Sequence, residues 1–424
     1  MRNHSMQARS RALAIFIIGA SVVTGAGLIG AKRAWADEKK PQVSRELGKQ
    51  LKAAQEAVQA KKYADALAKL KDAEGNPKKT PYDQHIINEL SGVAYARTNN
   101  YPEAAKAFEA ELNDGFLDQA DVPQRVKALA QLNYQIKNYD KAIEFGNRAV
   151  KGGFADDEML TLVGQSYYLK GDWKGTLKFE DGLIDGEIKK GQTPKDQSLQ
   201  LALSSCVKMQ DSDCTTRELE RLVTYYPKPE YWAQLLGTML RSPQQNDKAN
   251  ERTMLQLFRL MFEVDVLKEP NDYTEMAQLA IEQGSPGEAQ HVLERAFQKN
   301  VFTDARTQDK NKRLLESAKK AATADLAALP KAEKDADAAP KGDKDVGVGL
   351  AYLGYQKYDK SVEALNKGLT KGGVRSEPEA RLLLGIAQLK AGHKDEAAKT
   401  FHAVKGDATL ERLAELWSLH AKQA

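Results

Sequence analysis

The chain has 424 residues, long enough for two or three globular domains or for one extended repeat array. Its mean hydropathy of -0.58 excludes a protein that crosses a membrane many times. The formal charge of +4 rests on the first 36 residues, which hold five bases (Arg2, Arg9, Arg11, Lys32, Arg33) and no acid; without them 58 bases face 59 acids, and no global excess remains to favour nucleic acid.

The chain opens with a basic start, then an uncharged apolar run over residues 12–31, then Ala34-Trp35-Ala36 and the charged Asp37-Glu38-Lys39-Lys40. That order predicts a signal peptide over 1–36, cleaved after Ala36. The alternative is an uncleaved anchor, since the run is long enough to span a bilayer and Lys32 and Arg33 lie just beyond it. Either way, Asp37 onward is expected outside the cytoplasm: in the periplasm, free or tethered to the inner membrane. Membrane contact is expected only if the signal is uncleaved. Gly25, Gly27 and Gly30 fit a dinucleotide-binding pattern, but that pattern needs a strand before it, a helix after it and an acid about 20 residues on. Inside a signal it carries no such meaning.

A repeat begins next. A small anchor residue is followed by an aromatic nine positions on and a small residue twelve on: Ala54, Tyr63, Ala66; Gly92, Tyr101, Ala104; Ala130, Tyr139, Ala142; Gly349, Tyr358, Ser361. Gly164 with Trp173, Ala277 with Ala289, and Gly385 with Ala397 fit in part, and Ser205 and Gly237 anchor two degraded copies. An apolar residue often stands sixteen past the anchor, as Leu70, Phe108, Leu365 and Phe401 do. Each unit reads as two apolar helices joined by a turn such as Asn99-Asn100 or Lys137-Asn138. Small residues let the two helices approach. One hairpin cannot bury both apolar faces, so neighbours must stack.

The stretch Lys151-Gly152-Gly153-Phe154 could cradle a phosphate or end a helix. Its phase decides. Phe154 lies 24 past Ala130, Phe116 lies 24 past Gly92, Val301 lies 24 past Ala277 and Gly373 lies 24 past Gly349. A phosphate loop would occur once, so this is a helix ending, with a left-handed glycine and an apolar residue folded back on the last turn. Gly152→Ala is expected to lower stability by about 1 kcal/mol.

Cys206 and Cys214 lie eight apart and suit a disulfide in an oxidising compartment. On the Ser205 anchor they fall late in one helix and just past its turn, a local clip across a hairpin. Residues 304–345 break the array. They read as a Lys- and Ala-rich helical portion over 311–329 and then, from Pro330, a mixed-charge flexible linker. This divides an N-terminal array over 47–303 from C-terminal repeats over 346–424, which end in a capping helix that carries Trp417.

No catalytic or metal motif interrupts the pattern. The six histidines include no pair at i and i+4, and neither a G-x-S-x-G nor a phosphate-binding loop occurs. No nucleophile, base or metal cluster stands out, so no enzyme, metal or cofactor is expected.

The repeat resembles the tetratricopeptide repeat family, most clearly over residues 90–112, 129–150, 163–179, 348–369 and 384–404. That resemblance implies an all-α, right-handed α-solenoid of stacked helix-turn-helix hairpins whose first helices line a concave groove. Helical spacing puts Lys127, Gln131 and Tyr134 on one face, and Thr161, Gln165 and Tyr168 repeat that triplet one unit on. Their amide and phenol groups suit hydrogen bonding to an extended peptide. The function expected is a non-enzymatic scaffold for a protein or peptide of the cell envelope. A TonB-type energy-transducing complex is preferred, with outer-membrane assembly and cell-wall complexes as alternatives. A second expectation is a regulatory envelope protein that binds a small molecule or glycan.

Overall fold

A computed structural model describes residues 41–240 and 248–423, and the side chains of 248–250 are left aside. The expected signal over 1–36 lies outside the described residues. Within them the chain forms twenty α-helices and no strand, and no helix is long and apolar enough to cross a membrane. The helices fall into two compact units divided between Gly186 and Glu187.

The first unit stacks four hairpins: α1 (Gly48–Gln59) with α2 (Tyr63–Glu74), α3 (Pro81–Arg97) with α4 (Tyr101–Asn113), α5 (Val122–Gln135) with α6 (Tyr139–Lys151), and α7 (Asp157–Lys170) with α8 (Trp173–Lys189). The residue nine past each anchor is the first residue of the second helix. The residue seven past it closes the turn in the left-handed conformation, as Lys61, Asn99, Lys137 and Gly171 do. In every turn the next amide reaches back to a carbonyl of the first helix, for example Asn100 N–H to Tyr95 O at 2.9 Å and Asn138 N–H to Asn133 O at 2.8 Å. These bonds satisfy the carbonyls that a helix end leaves open.

The anchor is small because of the residue sixteen on. A Cβ on Gly92 would lie 2.3 Å from the Phe108 ring. Equivalent additions at Gly349 and Gly385 would lie 2.5 Å from Leu365 and 2.4 Å from Phe401. The α5–α6 hairpin differs: its anchor is Ala130, and the residue sixteen on is Gly146, whose added Cβ would strike Val163 of α7, in the next hairpin, at 2.2 Å.

The second unit holds α9 (Asp196–Lys208), α10 (Ser212–Tyr225), α11 (Pro229–Leu240), α12 (Lys248–Glu263), α13 (Pro270–Glu282), α14 (Pro286–Gln298), α15 (Ala305–Asp337), α16 (Asp343–Gly354), α17 (Tyr358–Lys371), α18 (Glu377–Lys390), α19 (Lys394–His402) and α20 (Ala408–Ala421). Its chain end comes back on its beginning. The Gln423 side chain donates to Val223 O at 2.7 Å, and Arg412 of α20 pairs with Glu220 of α10.

Four expectations need correction. Residues from Pro330 do not form a flexible linker, because α15 runs unbroken for 33 residues through Pro330. Leu329 and Ala336 are buried with Val348, Ala351 and Tyr352, and the Tyr355 hydroxyl donates to Asp325 at 2.6 Å. Tertiary burial outweighs proline and charge here. Nor do residues 304–345 divide the molecule: the C-terminal repeats pack in one unit with α9–α15. The degraded copy is in register on Leu203 rather than Ser205, since Gln210 is its left-handed residue and Ser212 begins its second helix. Finally, Gly153 at φ +72° is the left-handed glycine, whereas Gly152 is helical. Phe154 N–H bonds Ala149 O at 3.2 Å and Gly153 N–H bonds Val150 O at 3.1 Å, the double bond of a Schellman ending. Gly152 is small for another reason: its Cβ would lie 2.2 Å from the Phe154 ring.

Candidate functional site

Helices α5 and α7 bury one stripe each. Val126, Leu129, Ala130, Leu132 and Asn133 face the core from α5; Met159, Leu162, Val163, Gly164 and Ser166 face it from α7. That burial turns Lys127, Gln131 and Tyr134, and Thr161, Gln165 and Tyr168, to positions that are half-buried. Asp156 begins α7 by accepting the Met159 amide at 2.9 Å, and Gly171 in the left-handed conformation ends it.

The two triplets meet. The Tyr134 hydroxyl donates to Gln165 Oε1 at 2.9 Å, joining one repeat to the next. Tyr134 also packs edge-on to Tyr139, with ring centroids 6.0 Å apart, and burial ahead of that neighbour raises its phenol above the ordinary value. Lys127 Nζ lies 2.7 Å from Asp156 Oδ2, and its hydrogen bond holds the Asp156 carboxyl below the usual range. The Thr161 hydroxyl is turned inward onto Asp157 O at 2.9 Å, and Tyr168 packs edge-on to Trp173 at 4.9 Å. Gln131 and Gln165 therefore sit in a row flanked by phenols, with the one cation of the row matched by a carboxylate. Beside them Leu169 is an exposed apolar side chain, 51% accessible, that the spacing argument passed over because it falls outside the triplet.

The same three register positions read differently in the second unit. In the copy anchored on Gly385 they are Leu382, Ile386 and Leu389, all buried. Cys206 of α9 and Cys214 of α10 are joined in a disulfide with Cα atoms 5.5 Å apart, so the bond spans the two helices of a hairpin.

Two polar pairs in the first unit lie against aromatic rings. Arg125 Nη2 donates to the buried Glu111 Oε1 at 2.8 Å while its guanidinium covers the Phe108 ring at 3.9 Å. Burial pushes the Glu111 carboxyl up to about 8, although Arg125 pulls the other way. His85 Nδ1 lies 3.0 Å from Asp114 beneath Tyr82 and Phe116. Among the described residues no group of three or more His, Cys, Asp or Glu side chains is arranged to hold a metal ion.

A family model described as tetratricopeptide repeat matches residues 349–409, the α16–α19 hairpins. The chain carries repeats of the tetratricopeptide repeat family. A model described as RNPP family C-terminal domain matches residues 53–193 of this tetratricopeptide repeat chain, nearly the whole described first unit. No curated protein matches it in sequence. Solved structures similar to it include a tetratricopeptide repeat protein from Parabacteroides merdae (14% identity, 65% of this chain and 99% of that chain, TM-score 0.30). Yeast Tom70 (9%, 88% and 95%, 0.24) and the tetratricopeptide domain of P58(IPK) (12%, 89% and 99%, 0.23) are two more.

Proposed function

We propose that this chain is an exported, non-enzymatic scaffold of a bacterial cell envelope whose first unit holds an extended segment of a protein partner along the α5–α7 face. Its helical repeat fold is typical of protein–protein interaction scaffolds. The observation that carries the reading is the Tyr134–Gln165 hydrogen bond, which sets the amides and phenols of two successive repeats in one register. Amides both donate and accept, so a row of them suits a peptide backbone. The match of Lys127 with Asp156 leaves that row without net charge, which favours a neutral segment over an acidic tail. Export is supported by the basic, apolar and A-x-A order of the first 36 residues and by a disulfide of the kind that oxidising compartments retain.

The test is a Gln131→Ala/Gln165→Ala chain expressed in its own envelope, with partners captured by crosslinking. Loss of the wild-type partner at an unchanged melting temperature is expected. Full recovery of the partner by a folded double variant sinks the site. Mass spectrometry of the mature protein tests export separately, with a first residue of Asp37 expected.

A further inference from the structure

The second unit closes on itself along one seam, and that seam is built unlike the rest of the molecule. Helices α12 and α18 are bridged at both ends by polar side chains, and α20 packs against each of them. At one end Glu379 accepts from Gln256 Nε2 at 3.2 Å and lies 3.7 Å from Arg252. At the other Lys390 Nζ donates to Glu263 at 2.9 Å. Both sequence numbers rise together, so the two helices run parallel. Ile386 lies on the α18 stripe between Glu379 and Lys390, with Leu382 and Leu389 flanking it. From α20, His420 lies 3.5 Å from Glu263, Arg412 pairs with Glu220, and Gln423 donates to Val223 O at 2.7 Å.

Each side of the seam has firmer support behind it. Arg259 of α12 grips Glu288 of α14 with two hydrogen bonds, at 2.7 and 2.6 Å. On the other side, α18 sinks Leu383, Leu384 and Ala387 into an apolar cluster with Leu365 of α17. At the seam itself α12 and α18 meet through these polar side chains, while α20 adds a ring contact, His420 edge-on to Trp232 of α11 with centroids 6.3 Å apart. Among the described residues Gln256 Oε1, Gln388 Oε1, Trp417 Nε1, Ser418 Oγ and Gln423 Oε1, on the helices that meet there or just beyond, are buried without a hydrogen bond. A buried polar atom left unpaired weakens the interface that buries it. Regions that open first are those with few apolar contacts and imperfect polar ones.

We propose that this seam is a reversible self-closure: α18–α20 part from α10–α12 while both sides stay folded, and the parting bares the Leu382–Ile386–Leu389 row. Those residues hold the register positions that Lys127, Gln131 and Tyr134 hold in the first unit. The closed seam therefore hides an apolar counterpart of that row. The inference does not rest on the groove reading of the first unit, and the experiment below is blind to it.

Thiol labelling of the full chain, with its native disulfide intact, tests the proposal. Ile386→Cys places a thiol on the seam, and Leu384→Cys places one on the opposite, α17-facing side of the same helix. A maleimide is expected to label the first at least about tenfold faster than the second, a ratio equivalent to a modest difference in opening free energy. Lys390→Glu, which sets two carboxylates face to face with Glu263, is expected to speed labelling at 386 and leave 384 unchanged. The exchanged pair Glu263→Lys/Lys390→Glu is expected to restore the slow rate. Equal rates at both positions would mean that only unfolding exposes the seam, and would overturn the proposal. If Ile386→Cys itself disturbs folding, Leu389→Cys takes its place under the same criterion.

Discussion

The two units place the same repeat register to opposite use. In the first, the positions three before, one past and four past an anchor are Lys127, Gln131, Tyr134 and then Thr161, Gln165, Tyr168, polar and half-buried. In the second, the C-terminal copy fills them with Leu382, Ile386 and Leu389, all buried. Hairpin geometry does not distinguish the copies: the turn residue, the first residue of the second helix and the small-to-large contact recur in both. What differs is which side chains occupy one stripe of the first helix. A repeat scaffold can therefore turn a presented face into a self-packed one without altering its hairpins.

The comparison can be broken hardest at Trp417. It is almost wholly buried and stacks on Phe401 with ring centroids 6.2 Å apart. Trp417→Ala should cost about 3–5 kcal/mol and act on the second unit alone. Chemical denaturation should then show an early transition for that unit and an unmoved one for the first; a common shift of both would join them into one folding unit. Next in size is the Cys206–Cys214 bond, which closes a loop with a sequence separation of 8. Reduction should lower the stability of the second unit by about 2.5 kcal/mol on the chain-entropy account. No shift in the melting curve under reductant would remove the clip from the comparison.

The two units should also answer pH in opposite directions. Burial raises the Glu111 carboxyl from 4.5 to about 8, so the folded first unit keeps a proton that the unfolded chain releases. Its contribution is complete below about 4.5 and lost as pH rises toward 8. Glu263 is the reverse. Burial works against it, but hydrogen bonds from His420 and Lys390 hold its carboxyl down at about 2. Its contribution is present above 4.5 and lost as pH falls toward 2. Thermal unfolding of Glu111→Gln and Glu263→Gln across that range checks both, and each variant should flatten the response of its own unit only.

The smallest effect sharpens what the units share. Lys137 and Gln356 hold the left-handed turn position at φ +61° and +58°. Lys137→Gly and Gln356→Gly each relieve that conformation and are expected to gain up to about 1 kcal/mol, net of the entropy glycine adds to the unfolded chain. A loss at either position, seen by urea denaturation, would show that the side chain there does more than close a turn.

Much of the hairpin was legible in the chain because its signals are local. The anchor at Gly92, the aromatic at Tyr101 and the ending at Phe154 sit at fixed short distances, and backbone bonding enforces those distances whatever packs outside. The degraded copy was misplaced by two residues because Ser205 resembles an anchor, while the residue that marks the register, Gln210, has no compositional signature for its positive φ. The α15 helix was hidden for a different reason. Its second half is charged and contains Pro330, so only burial against Val348, Ala351 and Tyr352 makes it continuous. The triplets on α5 and α7 could be read from spacing, but their Tyr134–Gln165 bond could not, because it depends on how closely one hairpin stacks on the next. Local periodicity alone determined that this chain is an array of helical hairpins. Tertiary packing decided that the C-terminal repeat returns to α12, since the partner of Glu379 and Lys390 lies more than a hundred residues away and no short-range pattern can name it.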